Sequence, residues 1–134
     1  MASTTTTTRL LIQTHHMTSK AKIRSLTLSA AKHRLSVVLK TGKPPGIMLA
    51  EGPAASVQQW MGHVRRLRYK DYRLMKTEEV SCPEGKGLAG IVEPGKVLEI
   101  DELKAFARFL GDNHDDGNLV NWWRRGMGFV GEDK

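Results

Sequence analysis

Cysteine, aromatic residues, long apolar runs and early acidic residues are all scarce in this sequence of 134 residues. The single cysteine, Cys82, excludes an internal disulfide and a cysteine-rich zinc site, and it favours a reducing compartment. No apolar run approaches the roughly 20 residues that a membrane-spanning helix needs. The start also lacks the apolar region of a secretory signal. These absences predict an intracellular protein of the nucleus or cytoplasm, with mitochondrial import as a minor alternative.

Acidic residues are absent before Glu51, so the positive charge is concentrated in the first part of the chain. The net charge is +7, of which residues 1–80 carry +10 and residues 81–134 carry −3. Positive charge concentrated in one part of a chain creates an electrostatic field that attracts polyanions or an acidic protein surface. The structural alternative is a basic face that binds nothing.

The length suits a single domain with one core. A threonine-rich polar tract over residues 1–8 predicts a disordered tail. We expect one domain over residues 9–130, made of a core at 9–80 and an extension at 81–130.

The hydrophobic pattern of the core alternates between strand-like runs and helical stripes. Four strands are predicted at 10–16, 35–39, 47–52 and 72–80, and two helices at 20–34 and 54–69. Either Thr18 or Ser19 can cap the first helix, whose buried face should carry Ile23, Leu26, Ala30 and Ala31. The resulting order, β-α-β-β-α-β, predicts an α+β fold of the ferredoxin-like class.

The extension is rich in glycine and proline before it becomes helical. Residues 81–100 are interpreted as an ordered loop with a small hairpin that pairs Ile91–Val92 with Val97–Leu98. Helical patterns then cover residues 101–111 and about 118–125. A helical C-terminal extension therefore completes the expected fold.

This topology should gather basic side chains at one pole of the fold. The first and second strands end there, the first helix begins there, the second helix ends there and the fourth strand starts there. Asp71 is the only acidic residue expected beside them. The residues predicted to contact a polyanion are Gln13, His15, His16, Lys20, Lys22, Lys43, Arg65, Arg66, Arg68 and Arg73. The dipole at the C-terminus of the second helix is an alternative reason for its arginines.

Three motifs in this order resemble one family: the segment Leu11–Lys22 with its paired histidines, the turn Gly42–Ile47, and Glu51-Gly52. The sequence is similar to the C-terminal domain of the pre-mRNA processing factor three family, a small nuclear ribonucleoprotein component. That domain also ends RWD-domain-containing proteins of type two. The resemblance covers residues 9–80 and continues more loosely to Phe129. It implies a ferredoxin-like domain and contact with RNA as a duplex with a single-stranded extension.

Further motifs each allow a chemical and a structural interpretation. His15 and His16 point to opposite faces of a strand, so one should pack inward and the other face solvent. Trp122, Trp123, Arg124 and Arg125 could form a stacking or partner surface, although packing of at least one tryptophan is favoured. The loop Gly85–Gly90 lacks the spacing of a phosphate-binding loop, and Cys82 has no histidine base nearby in sequence. The trio His114, Asp115 and Asp116 is interpreted as a loop rather than a metal site.

The combined prediction is a small RNA-binding domain that is not an enzyme and that uses no cofactor or metal. Its basic pole would contact the phosphate backbone, with Gln13 and His15 adding hydrogen bonds. The first and third strands carry no aromatic residue, which argues against base stacking on the sheet. The alternative is a protein–protein interaction module whose basic face meets an acidic partner. A small hydrolase of the acylphosphatase type shares the fold class but lacks a convincing catalytic set.

Overall fold

The computed structural model describes residues 4–83, 87–111 and 117–129. Five strands, four helices and a short 3-10 turn at Leu88–Gly90 make up this part of the chain. In chain order the elements are β1 (Thr4–Thr14), α1 (Lys20–Lys32), β2 (Ser36–Lys40), β3 (Gly46–Gly52), α2 (Ala54–Arg66), β4 (Arg73–Pro83), β5 (Val97–Ile100), α3 (Leu103–Gly111) and α4 (Asn118–Met127).

The five strands form one sheet in the order β4-β1-β3-β2-β5. Strand β1 runs antiparallel to β3 and β4, and β2 runs antiparallel to β3. Strand β5 lies parallel to β2 on the outer edge. The first four strands have the ferredoxin-like arrangement, so the predicted α+β fold class is confirmed.

Alternating residues of the strands feed two separate cores on the two faces of the sheet. Leu10 and Ile12 of β1 belong to the core beneath α1 and α2, which also contains Trp60. Leu11 belongs to the opposite core, which is closed by Phe106 of α3 and by buried residues of α4. Helices therefore cover both faces of the sheet.

The first strand begins earlier than the sequence predicts. Residues Thr4–Thr8 pair with Glu79–Pro83 of β4, so the disordered tail predicted for residues 1–8 is wrong for these five threonines. Threonine is β-branched and favours extended backbone, and a partner strand satisfies its amide and carbonyl groups. The first strand and its neighbour are thereby extended along the edge of the sheet.

The predicted hairpin between Ile91–Val92 and Val97–Leu98 is also wrong. Val97–Ile100 instead pairs in parallel with Val37–Lys40 of β2, and the amide of Thr41 donates to the carbonyl of Ile100 over 2.9 Å. The strand belongs to the sheet, so the structural core does not end at residue 80. This pairing carries the acidic residues that follow Val97 toward the end of β2.

The two helices of the core begin as predicted and end earlier. The hydroxyl of Ser19 caps α1 by accepting from the amide of Lys22 over 3.2 Å. The chain leaves α1 through Arg34 and leaves α2 through Arg68, and both residues have a positive φ of 57°. This left-handed conformation cannot continue a right-handed helix. Ala31, predicted on the buried face of α1, is exposed.

A buried ion pair joins the sheet to the 3-10 turn. The Nε atom of Arg9 on β1 donates to Oε2 of Glu51 on β3 over 2.6 Å, and both side chains are almost fully buried. The other oxygen of Glu51 accepts from the amides of Leu88 and Ala89. The carboxylate thus neutralises a buried guanidinium and fixes the turn that follows β4.

Candidate nucleic-acid interface

The end of the fold where β1 stops is held together by backbone hydrogen bonds. The amide of His15 donates to the carbonyl of Lys70 over 2.9 Å, and the amide of Gly46 donates to the carbonyl of His15 over 3.2 Å. Met17 pairs with Gly42 in an isolated β-bridge. The end of β1, the turn before β3 and the segment before β4 therefore meet, as predicted.

Three arginines surround a cavity of about 450 Å³ at the end of α2. Arg65, Arg66 and Arg68 are all exposed, and the cavity is completed by Tyr69 and Tyr72. We call this group the arginine cavity. The left-handed backbone at Arg68 turns the chain so that Tyr69 packs into the core at 7% exposure. The dipole of α2 stabilises cations at this end, which favours clustering of the arginines there.

The two tyrosines of the arginine cavity bring hydroxyl groups that lack partners. The hydroxyls of Tyr69 and Tyr72 are buried, and neither hydrogen-bonds within the described residues. Burial raises the pKa of Tyr69 to about 12, so its hydroxyl keeps its proton at neutral pH. A buried hydroxyl without a partner costs free energy.

Lys22 reaches the same region from the start of α1. Its Nζ atom lies 4.9 Å from the centre of the Tyr69 ring. A cation over an aromatic face is stabilised by the ring quadrupole. This contact connects the first turn of α1 with the arginine cavity.

The opposite side of the pole carries acidic residues that the sequence analysis did not place there. Lys20 shares a surface depression with Glu99 of β5, and Asp101 lies beside Gly42 in the turn before β3. The expectation that Asp71 is the only acid at the pole is therefore wrong. The parallel pairing of β5 with β2 brings both carboxylates to this end of the sheet.

Lys40 and Lys43 also belong to this side. The Nζ atom of Lys40 donates to the carbonyl of Lys43 over 2.7 Å. Burial lowers the pKa of Lys40, the neighbouring Lys43 lowers it further, and Asp101 opposes the shift. The positive field on this side is thus reduced by nearby carboxylates, whereas the arginine cavity contains none.

The paired histidines have different surroundings. His15 is half-buried, and its Nδ1 atom lies 3.6 Å from Oδ2 of Asp71. His16 is exposed, with its ring 5.1 Å from that of His15. Gln13 and Arg73 stand opposite one another on β1 and β4, so they line the edge of the pole next to Asp71. Both histidines lie beyond the end of β1 and their rings are in contact, so the prediction that they point to opposite faces of a strand, one of them inward, is wrong.

The possible stacking surface on α4, the less favoured interpretation of this motif, is wrong because both tryptophans are buried. Trp122 is 6% exposed and donates from its indole N–H to Oε1 of Glu78 over 2.6 Å. Trp123 is 1% exposed and packs against Phe106 and Phe129. The favoured alternative, in which these rings fix the terminal helix to the sheet, is correct. Arg124 and Arg125 are exposed on that helix.

The remaining candidates contribute no site in the described residues. Neither a cluster able to hold a metal ion nor a helix able to cross a membrane occurs within residues 4–83, 87–111 and 117–129. The trio at 114–116, residues 85–86 of the glycine-rich loop and the side chain of Cys82 lie outside the described part.

Sequence reasoning missed the tyrosines of the arginine cavity. The segment from Arg68 to Arg73 alternates basic residues with Tyr69 and Tyr72, and aromatic residues interleaved with cations are a recognisable nucleic-acid signal. The acids near Lys20 and Gly42 could not be found in this way, since they reach the pole only through β5.

Comparisons with known proteins show a similarity of fold and nothing further. No family model matches the chain. The solved structure of BlrP1 BLUF superposes with a TM-score of 0.62 at 11% identity, covering 92% of this chain and 89% of that one. The structure of a bacterial light-regulated adenylyl cyclase superposes with a TM-score of 0.49 at 12% identity, covering 92% of this chain and 34% of that one. The structure of acylphosphatase from Bacillus subtilis superposes with a TM-score of 0.42 at 16% identity, covering 73% of this chain and 100% of that one.

Proposed function

We propose that this protein binds RNA through the phosphate backbone, with the arginine cavity as the centre of the interface. The observation that carries the proposal is the grouping of Arg65, Arg66 and Arg68 around two tyrosines in a cavity whose lining includes no carboxylate. The protein acts as an intracellular binding domain and not as an enzyme.

The chemistry of the cavity suits a phosphate group. A guanidinium presents paired N–H donors that match two phosphate oxygens, and charge-assisted hydrogen bonds are stronger than neutral ones. The side chains of Tyr69 and Tyr72 complete the wall of the same cavity. Lys22 adds a positive charge above the Tyr69 ring.

The distribution of exposed apolar residues favours a nucleic acid over a protein partner. The centre of a protein interface is usually apolar. Among the described residues the large exposed apolar side chains are Leu28, Leu74, Leu98 and Phe129, and none of them lines the arginine cavity. An acidic protein partner remains the alternative, with the same basic surface as its contact.

Recognition of bases on the sheet is blocked by the architecture. Ferredoxin-like RNA readers stack bases on an open sheet face, but α3 and α4 cover that face here. Contacts made mainly to phosphates position RNA without reading its sequence. We therefore expect weak sequence preference.

The resemblance to the pre-mRNA processing factor three family supports RNA as the polyanion. Its motifs place Lys20, Lys22 and Lys43 at the pole. Glu99 lies near Lys20, and Asp101 lies near the turn that carries Lys43. We therefore assign Lys20 and Lys43 a smaller share of the binding free energy than the arginines.

A fluorescence-anisotropy titration of an RNA hairpin with a single-stranded extension tests the proposal. The variant Arg65→Gln/Arg68→Gln should weaken binding by about a hundredfold, since it removes two charge-assisted contacts worth about 1.5 kcal/mol each. The matched control Arg124→Gln/Arg125→Gln removes the same charge from α4 and should change affinity much less.

Equal weakening by the two variants would show that only net charge matters and would contradict a localised site. Absence of RNA binding at low salt, combined with binding of poly-glutamate that depends on Arg65 and Arg68, would support the protein-partner alternative instead.

A further inference from the structure

A second basic groove lies on the outer surface of the two core helices, away from the sheet. It has a volume of about 720 Å³, within the range of small-molecule sites, and it runs between α1 and α2. Arg66 lines both this groove and the arginine cavity. The other residues of the groove belong to neither the predicted pole nor the proposed RNA contact.

A hydrogen bond fixes the two helices relative to one another in the middle of the groove. The hydroxyl of Ser25 on α1 lies 2.7 Å from Nε2 of His63 on α2. When the hydroxyl donates to Nε2, the ring carries its proton on Nδ1 and keeps one donor for a further partner. The contact also defines which residues stand opposite each other along the antiparallel helices.

Cationic and titratable side chains flank this contact on both sides. Lys32 and His33 lie toward the end of α1, and Arg66 lies one turn beyond His63 on α2. No acidic residue lines the groove, and none of these four side chains pairs with a carboxylate of the described residues. Ser29, Gln58 and Gln59 add neutral hydrogen-bonding groups to the walls, and Leu28 and Gly62 add apolar surface.

The two basic ends are separated along the groove. A helix rises about 1.5 Å per residue, so Lys32 lies about 10 Å along the axis from Ser25, and Arg66 about 4.5 Å from His63 in the other direction. Lysine and arginine side chains are long and flexible, so their charged groups can approach one another more closely than these axial distances. The groove therefore offers two cationic ends with a middle of mixed polar and apolar character.

We propose that this groove binds a small organic molecule that carries two separated phosphate groups. One phosphate contacts Arg66 and His63, and the other contacts Lys32 and His33. The neutral side chains between them hydrogen-bond the body of the ligand. This site is separate from the RNA interface except for the shared Arg66.

The proposal is tested by NMR titration of the labelled full chain at constant ionic strength. The probes are adenosine with phosphates on both its 3′ and 5′ hydroxyls, adenosine 5′-monophosphate, and adenosine. The bisphosphate should give saturable amide shifts in α1 and α2 and should bind about tenfold more tightly than the monophosphate, the value of one added charge-assisted contact.

Variants then assign each end of the groove. Lys32→Gln/His33→Gln should remove the advantage of the bisphosphate over the monophosphate, and His63→Gln should weaken both. The control Arg68→Gln, which lies outside the groove, should leave these affinities unchanged while weakening RNA. All of these variants replace an exposed or half-buried side chain with another polar one, so we expect them to fold. The amide spectrum of each variant checks that it does.

The outcomes separate this proposal from the RNA proposal. Equal affinity for the two nucleotides, or no saturable shift with either, overturns the groove site and leaves the RNA interface unaffected. Shifts confined to residues 65–72 also overturn it, because they place the phosphates in the arginine cavity. Loss of RNA binding in Arg68→Gln with intact bisphosphate binding supports both sites.

Discussion

The Nζ atom of Lys22 lies 4.9 Å from the centre of the Tyr69 ring, so the first turn of α1 is tied to the segment that follows α2. A lysine at a helix N-terminus is opposed by the helix dipole, and the ring face offsets part of that cost. The contact places a cation above a tyrosine whose hydroxyl is buried without a partner in the described residues. It joins two chain segments at the arginine cavity.

Replacement of Tyr69 by phenylalanine tests the state of that hydroxyl. Because burial raises the pKa of Tyr69 from 10.0 to about 12, the unfolded state ionises at lower pH than the folded state. The unfolding free energy is therefore unaffected by this ionisation below about pH 10 and falls as pH rises toward 12, because the exposed phenol of the unfolded state loses its proton first. Tyr69→Phe should therefore flatten the fall of the unfolding free energy over this range.

At neutral pH the same variant should be neutral or more stable by up to about 1 kcal/mol, because it deletes an unpartnered buried hydroxyl. Urea unfolding at a series of pH values measures both effects. A loss of more than about 1 kcal/mol at pH 7 would mean that the hydroxyl has a stabilising partner.

The buried pair of Arg9 and Glu51 yields a second prediction. Glu51→Gln removes the carboxylate that neutralises Arg9 at 2.6 Å and weakens acceptance from the amides of Leu88 and Ala89. We expect the unfolding free energy to fall by about 3 kcal/mol. Urea unfolding provides the measurement, with the exposed Glu79→Gln as the control, which should lie within about 0.5 kcal/mol of the parent. Similar effects from both variants would contradict the role assigned to the pair.

The buried tryptophans give a third prediction. Trp60, Trp122 and Trp123 are at most 6% exposed, so RNA cannot stack on them in the folded protein. Saturating RNA should leave the tryptophan emission spectrum unchanged, and acrylamide should quench it weakly until the protein unfolds. Strong quenching by RNA in the folded state would restore the stacking surface that the sequence suggested for α4.

Much of the fold was predictable because its signals are local. The alternation of strands with helical stripes gave the ferredoxin-like class, and the hydroxyl of Ser19 caps α1 as its sequence position suggests. The convergence of β1, the turn at Gly42 and the segment before β4 then follows from topology.

The errors share a different cause, which is long-range pairing. Thr4–Thr8 looks like a solvated tail until β4 extends far enough to pair with it. Val97–Ile100 looks like half of a local hairpin until it joins β2, and that pairing also brings Asp101 to the pole. The paired tryptophans look like a binding surface until α4 packs them onto the second face of the sheet.

The dependence of RNA affinity on salt tests the central claim most directly. Each phosphate contact contributes about 0.7 to 0.9 to the slope of log affinity against log salt concentration. Arg65→Gln/Arg68→Gln should reduce the magnitude of that slope by about 1 to 2, and Arg124→Gln/Arg125→Gln should leave it close to the parent value. A slope that is unchanged by the first variant, or reduced equally by both, would contradict an RNA interface centred on the arginine cavity.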